Sequence, residues 1–245
     1  VLTRAGHTEA ACDYARLAGL LPAAVIADIL TPEGTVADGP ALLEFARKHK
    51  LKIGTIAELI HFRLVNERTI RRIREGVIET AFGEFRLTAY RDQTTGEVHL
   101  ALSRGTIVAD EPTLVRVHIS AALRDLVNSE IPGRPTWSMH KCLQAVAERG
   151  RGVIVLLARA ESPDQLLASI DMVLGEDAPG DIATPDTYST IGLGSQILRD
   201  LGVGKIQLMG APIKYNALSG FDLEVLDFAQ PGDDGVDAAT EGKEA

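Results

Sequence analysis

The sequence predicts an α/β protein built in two parts. Three observations carry that prediction. Residues 1–70 alternate short apolar segments with segments of helical spacing. Residues 77–119 show period-two alternation around a Gly- and Thr-bearing turn. Residues 138–229 then alternate helices with continuous apolar runs such as GVIVLL, the pattern of strands covered on both faces.

Composition narrows the class. A chain of 245 residues holds one large domain or two ordinary ones, each with enough core to fold. A hydrophobic fraction of 45% with mixed charges describes a soluble globular protein, expected in the cytoplasm. No apolar run approaches the ~20 residues of a membrane helix, and the start is not a signal peptide, so no membrane partner is expected. A formal charge of −9 excludes a general nucleic-acid binder but leaves room for a small phosphorylated substrate in a local basic pocket. The two cysteines, Cys12 and Cys142, are far apart in predicted helices and form no CxxC pair, so reduced thiols filling helix faces are expected. The first residue is Val, and an element begins at once; a chain truncated at its N-terminus is expected.

Each element has a local reason. VLTR is a short apolar strand, and HTEAACDYARLAGL has helical spacing with Gly19 as its stop. AAVIADIL has strand length and a single acid, Asp28. TPEGTVADGP is a turn-rich loop, and ALLEFARKHK is a helix ending in cations that suit its dipole. LKIGTI reads as a strand, and IAELIHFRLVNERTIRRIREG as one long helix with a basic far half that runs into a linker at 71–79. VIETAFGEFRLTAYRD and VHLALSRG then form a hairpin around DQTTGE, followed by the strand TLVRVHIS. NSEIPGRPTWS is loop, SMHKCLQAVAERG helix and GVIVLLAR a buried strand. SPDQLLASIDMVLG opens with a strong helix start. After the loop DAPGDIATPDTYS come the helix GLGSQILRDLGV and the strands KIQLMG and FDLEVLDFA. Residues 231–245 are acidic and small, the composition of a disordered tail. The resulting division is 1–70, a linker at 71–79, 80–230 and the tail.

The stretch RAGHTEAA, Arg4 to Ala11, concentrates chemistry. A chain that passes through Gly6 into a helix start presents free backbone N–H groups. Arg4 can clamp a phosphate bidentately, His7 can ligate a metal or move a proton, and Thr8 can cap the helix or bond a substrate hydroxyl. Asp28, as a carboxylate in an apolar strand, needs a partner, a metal or a proton. The same residues also fit a plain N-cap at Thr8, a surface imidazole at His7 and an acid at a strand end.

Residues 1 to about 65, and RAGHTEAA above all, resemble the C-terminal third of 3,4-dihydroxy-2-butanone 4-phosphate synthase, an enzyme of riboflavin biosynthesis. The resemblance implies a lyase that converts ribulose 5-phosphate into formate and the butanone phosphate with Mg²⁺ or Mn²⁺. It implies substrate contacts from Arg4, Ala5, Gly6, His7 and Thr8, a metal bond from His7, proton transfer at the position of Asp28, and a homodimer. Two departures stand out. Asp28 replaces the family's Glu, one methylene longer, and the family's acidic metal cluster belongs to a part not in this chain. The chain alone is therefore expected to lack synthase activity.

Residues 80–230 resemble GTP cyclohydrolase II in LVRVHIS, AVAERGRGVIVLL, IGLGSQILRDLGVGKIQLM and FDLEVLDF. The chemistry departs from that frame. Ala121 stands where the first zinc cysteine belongs, and PGRPT holds none of the others. SPDQLLAS replaces the phosphate loop, Thr187 and Ser189 replace an acid and an arginine, and GAP replaces an N-N-P turn, although Lys214 is kept. No zinc and no cyclohydrolase activity are expected. His118 is expected as a half-buried imidazole and not a ligand, His140 as solvent-facing, and Trp137 as packing where the zinc loop would lie. Two functions compete: a synthase whose second domain is inactive, or a scaffold that holds a flavin, a nucleotide or a partner. Retention of Arg4, His7 and Thr8 favours the enzyme.

Overall fold

The computed structural model describes residues 1–131, 135–175, 187–210 and 221–231. Its chain forms two compact units, one of residues 1–69 joined by residues 187–193, the other of the remaining described residues.

The first unit holds α1 (His7–Leu17), α2 (Gly39–His49) and α3 (Ile56–Asn66). Helix α1 is followed by Gly19 at φ +75, as the sequence predicts. The Asp38 carboxylate caps α2 by accepting from Ala41 N at 3.1 Å, and Arg47, Lys48 and His49 close its last turn. Thr55 and Glu58 form a reciprocal capping box at α3. Val1, Ala10 and Leu59 make a small core. Arg63 forks onto Glu67 at 2.9 and 2.6 Å and reaches Asp13 at 2.8 Å, tying α3 to α1.

Three predicted strands are absent here. VLTR, AAVIADIL and LKIGTI carry no ladder, and Leu30↔Val36 is an isolated bridge. An apolar run becomes a strand only when neighbours pair with it and cover it. Val25 is fully exposed and Ile26 more than half exposed, so neither condition is met among the described residues.

The second unit is built on one mixed sheet of seven strands: β1 (Ile70–Thr80), β2 (Gly83–Asp92), β3 (Val98–Arg104), β4 (Thr113–Ile119), β5 (Gly152–Leu157), β6 (Lys205–Met209) and β7 (Glu224–Ala229). Their spatial order is β1-β2-β3-β5-β4-β6-β7. The first four neighbours are antiparallel, and β5, β4, β6 and β7 are parallel. The mixed α/β class, the turn between β2 and β3 and every later strand are as predicted, but the expected first arm, VIETAFGEFRLTAYRD, is broken at Ala81–Phe82 into the end of β1 and β2.

The long basic helix is a correction. Helix α3 stops at Asn66, and RTIRRIREG, which reaches into the expected linker, forms the start of β1. Ile70, Ile73, Val77 and Ile78 are β-branched and suit a pleated surface, and from Ile70 on the stretch pairs antiparallel with β2, apart from the bulge at Ile73. The arginines hide this, because their spacing fits a helix face equally well.

Helix α4 (Met139–Arg149) crosses one face of the sheet. Ser138 caps its start, and Gly150 ends it in the left-handed region at φ 72. Cys142 and Val146 pack with Phe85, Leu102, Leu114, Ile154 and Met209. Trp137 joins this cluster and donates Nε1–H to the Ala229 carbonyl at 3.1 Å. Gly152 allows this close approach, because a Cβ there would stand 2.9 Å from the Leu114 carbonyl oxygen. Helices α5 (Pro163–Leu174) and α6 (Thr187–Asp200) complete the connection to β6, with a capping box of Ser162 and Gln165 on α5. The acidic tail, from residue 232 on, lies outside the described residues.

Burial pushes the Cys142 thiol up to about 12, whereas Cys12 is partly exposed. A disulfide-exchange reagent should therefore modify Cys12 promptly in native protein and Cys142 only after denaturation, giving one reactive thiol and then two. Rapid modification of both would contradict this core.

Candidate functional site

The first candidate is the turn into α1. Gly6 is the N-cap residue, in extended backbone, and no side chain caps the helix. Thr8 lies inside the first turn, so its predicted capping role is corrected. The first-turn amides consequently have no side-chain acceptor, which leaves an anion-receptive end. Gly6 N donates to the Arg4 carbonyl at 2.9 Å. The Arg4 side chain is 81% exposed, with Nη1 3.6 Å from Glu9 Oε1. His7 and Thr8 are exposed. Arg4, Ala5, Gly6, His7 and Thr8 thus share one turn, and Glu9, absent from the predicted set, belongs with them. Its Oε2 is buried without a partner, against the space a Cβ on Gly6 would take.

Asp28 is not brought to this turn by any hydrogen bond or ion pair among the described residues. It is exposed and lies in an irregular segment, so the expectation of a buried acid in a strand is corrected. A lone exposed imidazole does not fit a hard divalent cation, which prefers several oxygen ligands. Among the described residues no three His, Cys, Asp or Glu side chains are grouped to hold a metal.

The second candidate lies where the parallel strands end. β4 has neighbours on both sides whose connections run in opposite directions, the place where open α/β sheets form a ligand crevice. A cavity of about 310 Å³ lies on the other side of β4, between β3 and the end of β5, lined by Val98, Leu100, Ser120, Leu156 and Arg159. Beside it, the chain leaving β4 makes a single π-turn, Ala122–Leu126.

Asp125 organises this turn. Its carboxylate accepts from Ala121 N at 2.9 Å, Met139 N at 2.8 Å and Arg124 Nη2 at 2.8 Å. His118, fully buried on β4, places Nε2 3.0 Å from the same carboxylate. Arg124 also donates to the Ile119 carbonyl, and Ala122 N donates to Glu161 at 2.9 Å. Burial works against the Asp125 charge, but Arg124 and the two backbone donors outweigh it and hold the carboxyl well below the usual range. Burial, reinforced by the Arg124 charge, pushes His118 down to about 4. The imidazole is therefore neutral at pH 7, with Nε2–H donated to Asp125.

Sequence reading places His118 as a half-buried, non-ligating imidazole; it is deeper than that and paired. Asp125 is missed, although an acid two to six residues past a strand end, beside an arginine, is a fair signal for a turn-organising carboxylate. His140 is exposed as expected and packs edge-on to Phe82 at 4.7 Å between ring centres. The side chains of Thr187 and Ser189, and Lys214, lie outside the described residues.

Comparison with known proteins places this geometry. Residues 71–230 match the GTP cyclohydrolase II profile, and residues 1–62 match that of 3,4-dihydroxy-2-butanone 4-phosphate synthase. The chain belongs to the GTP cyclohydrolase II family, and its first 62 residues match the synthase profile. A Pseudomonas aeruginosa protein named 3,4-dihydroxy-2-butanone 4-phosphate synthase is 52% identical over 227 residues, covering 93% of this chain and 61% of that protein. The riboflavin biosynthesis protein RibBA of Aquifex aeolicus is 43% identical, over 93% of this chain and 58% of its own length. A crystal structure of RibBX, described as a two-domain 3,4-dihydroxy-2-butanone 4-phosphate synthase from A. baumannii, is similar at a TM-score of 0.72 and 41% identity, over 93% of this chain and 60% of that one. The chain thus spans about three fifths of the length of these relatives.

Two outcomes test the Asp125 cluster. Asp125→Ala strands four donors in a buried site and should cost about 3–5 kcal/mol in urea unfolding. The pH dependence has a defined sign. His118 titrates lower folded than unfolded, so between about pH 6.5 and 4 the unfolded chain binds the extra proton and stability falls with acid, by about 3 kcal/mol for a shift of this size. Buried His99, also lowered by burial, acts in the same direction. His118→Gln, which keeps an N–H donor, should flatten this slope; an unchanged slope would contradict the assignment.

Proposed function

We propose that the whole protein is a 3,4-dihydroxy-2-butanone 4-phosphate synthase of riboflavin biosynthesis, and that its cyclohydrolase-like domain does not turn over GTP. The carrying observation is the turn from Arg4 to Thr8, which sets a guanidinium, an imidazole and a hydroxyl at an uncapped helix start. The naming of the 52% identical relative supports the same reading.

In this reading Arg4 and the first-turn amides of α1 hold the phosphate of ribulose 5-phosphate. Thr8 bonds a substrate hydroxyl, Ala5 and Gly6 line the approach, and Glu9 steadies Arg4. Asp28 moves a proton on the carbon skeleton once the sugar phosphate is seated. A divalent cation, Mg²⁺ or Mn²⁺, would supply polarisation of the ketose oxygens if carboxylate ligands joined it there. His7 is the residue of this chain proposed to face that ion, and its oxygen ligands belong to the longer protein. A cytoplasmic homodimer is proposed on the same resemblance.

Loss of cyclohydrolase chemistry is supported by Ala121. A methyl group stands at the position of the family's first zinc cysteine, and its N–H is engaged by Asp125. The nearby Cys142 is buried in the core with its proton held.

The full-length protein, given ribulose 5-phosphate and Mg²⁺, should release formate, and His7→Ala should reduce release to background. Arg4→Ala should raise KM by roughly tenfold or more, because phosphate binding is lost in ground and transition states alike. Formate release no greater in the wild type than in His7→Ala would sink the synthase reading. GTP turnover above that of a heat-denatured control would sink the second half.

A further inference from the structure

We propose a second anion site, made by Arg71, Arg74 and Arg91 on the outer hairpin of the sheet, for a compact ligand carrying two or more phosphate charges. A β-bulge carries the argument. Register shifts between Arg72 and Arg74, so that Arg71 pairs opposite Arg91, Arg72 opposite Tyr90 and Arg74 opposite Ala89. Without the extra residue, strand alternation would send Arg71 and Arg74 to opposite faces. With it, both share the face of Arg91.

Arg72 goes to the other face and is fully used there. It bonds Asp200 at 2.8 Å and Glu75 at 2.9 Å, and lies over the Tyr90 ring. The remaining three are treated differently. Among the described residues the side chains of Arg71 and Arg91 have no hydrogen bond or ion pair, and that of Arg74 donates only to the neighbouring Ile73 carbonyl. All three are exposed, and with the bulged segment Arg72–Ile73 they line an open cavity of about 380 Å³.

Like charges directly opposed across a ladder oppose pairing. This sheet accepts that arrangement at Arg71 and Arg91, in a protein whose net charge is −9. Protection of the β1 edge does not account for it. Cations on the edge strand alone would suffice for that purpose, and Arg91 belongs to β2, which is paired on both sides. An anion between the guanidiniums turns the repulsion into attraction, and the planar forks match phosphate oxygens. The cavity suits a pyrophosphate or a small phosphate ester. Nucleic acid fits less well, because the basic surface is a single cluster in an acidic protein.

The test is titration calorimetry of the full chain with pyrophosphate at constant ionic strength, using sodium chloride as the balancing salt. Wild type should show saturable one-site binding, and Arg71→Gln/Arg91→Gln should weaken it at least tenfold. Arg86→Gln, which removes an arginine on the other face paired with Glu75, should leave it unchanged. Arg74→Gln alone should weaken it severalfold and serves if the double variant fails to fold. No binding to wild type, equal binding in all variants, or tighter binding of a single-stranded oligonucleotide than of pyrophosphate would overturn the proposal.

Discussion

The carboxylate of Asp125 gathers the chain at the end of β4. One residue takes up the backbone of Ala121, the first amide of α4, the Arg124 guanidinium and the buried imidazole of His118. Each donor is an otherwise costly orphan: an amide leaving a strand, an uncapped helix amide, and polar groups out of water. Because α4 covers the main core, the position of that carboxylate propagates into the packing of Cys142, Val146 and Trp137 against the sheet. At neutral pH the carboxylate is ionised and Arg124 balances its charge.

The sequence made the second unit legible because its signals were local and agreed. Ser138 and Gly150 bracket α4, Ser162 and Gln165 start α5, and DQTTGE turns the β2–β3 hairpin. It misled in two places for one reason: pairing is not local. AAVIADIL has a strand's composition but no partner among the described residues, whereas RTIRRIREG has a helix's charge spacing and is claimed by β2. The turn proposed to hold the substrate was legible in RAGHTEAA itself. Glu9 was not, because its role depends on the missing Cβ of Gly6, a steric fact visible only in three dimensions.

The two units use their charges in contrasting ways. In the first, Arg63, Arg16, Asp13 and Glu67 neutralise one another between helices, and Arg4 stays exposed at the helix start. In the second, Arg72 and Arg124 are consumed structurally, whereas Arg71, Arg74 and Arg91 are left facing solvent together. Arginines left outside the networks that hold the fold, Arg4 with only its long 3.6 Å contact to Glu9 among them, are the ones available to a ligand. That division also explains how an acidic protein keeps local positive sites.

The central claim is that an internal carboxylate, and not a metal ion, fixes the end of β4. Thermal unfolding with and without a strong zinc chelator, alongside metal analysis of the purified protein, tests it most directly. The account predicts the same melting temperature in both conditions and zinc well below one per chain. A fall of several degrees with chelator, reversed by adding back zinc, would contradict it.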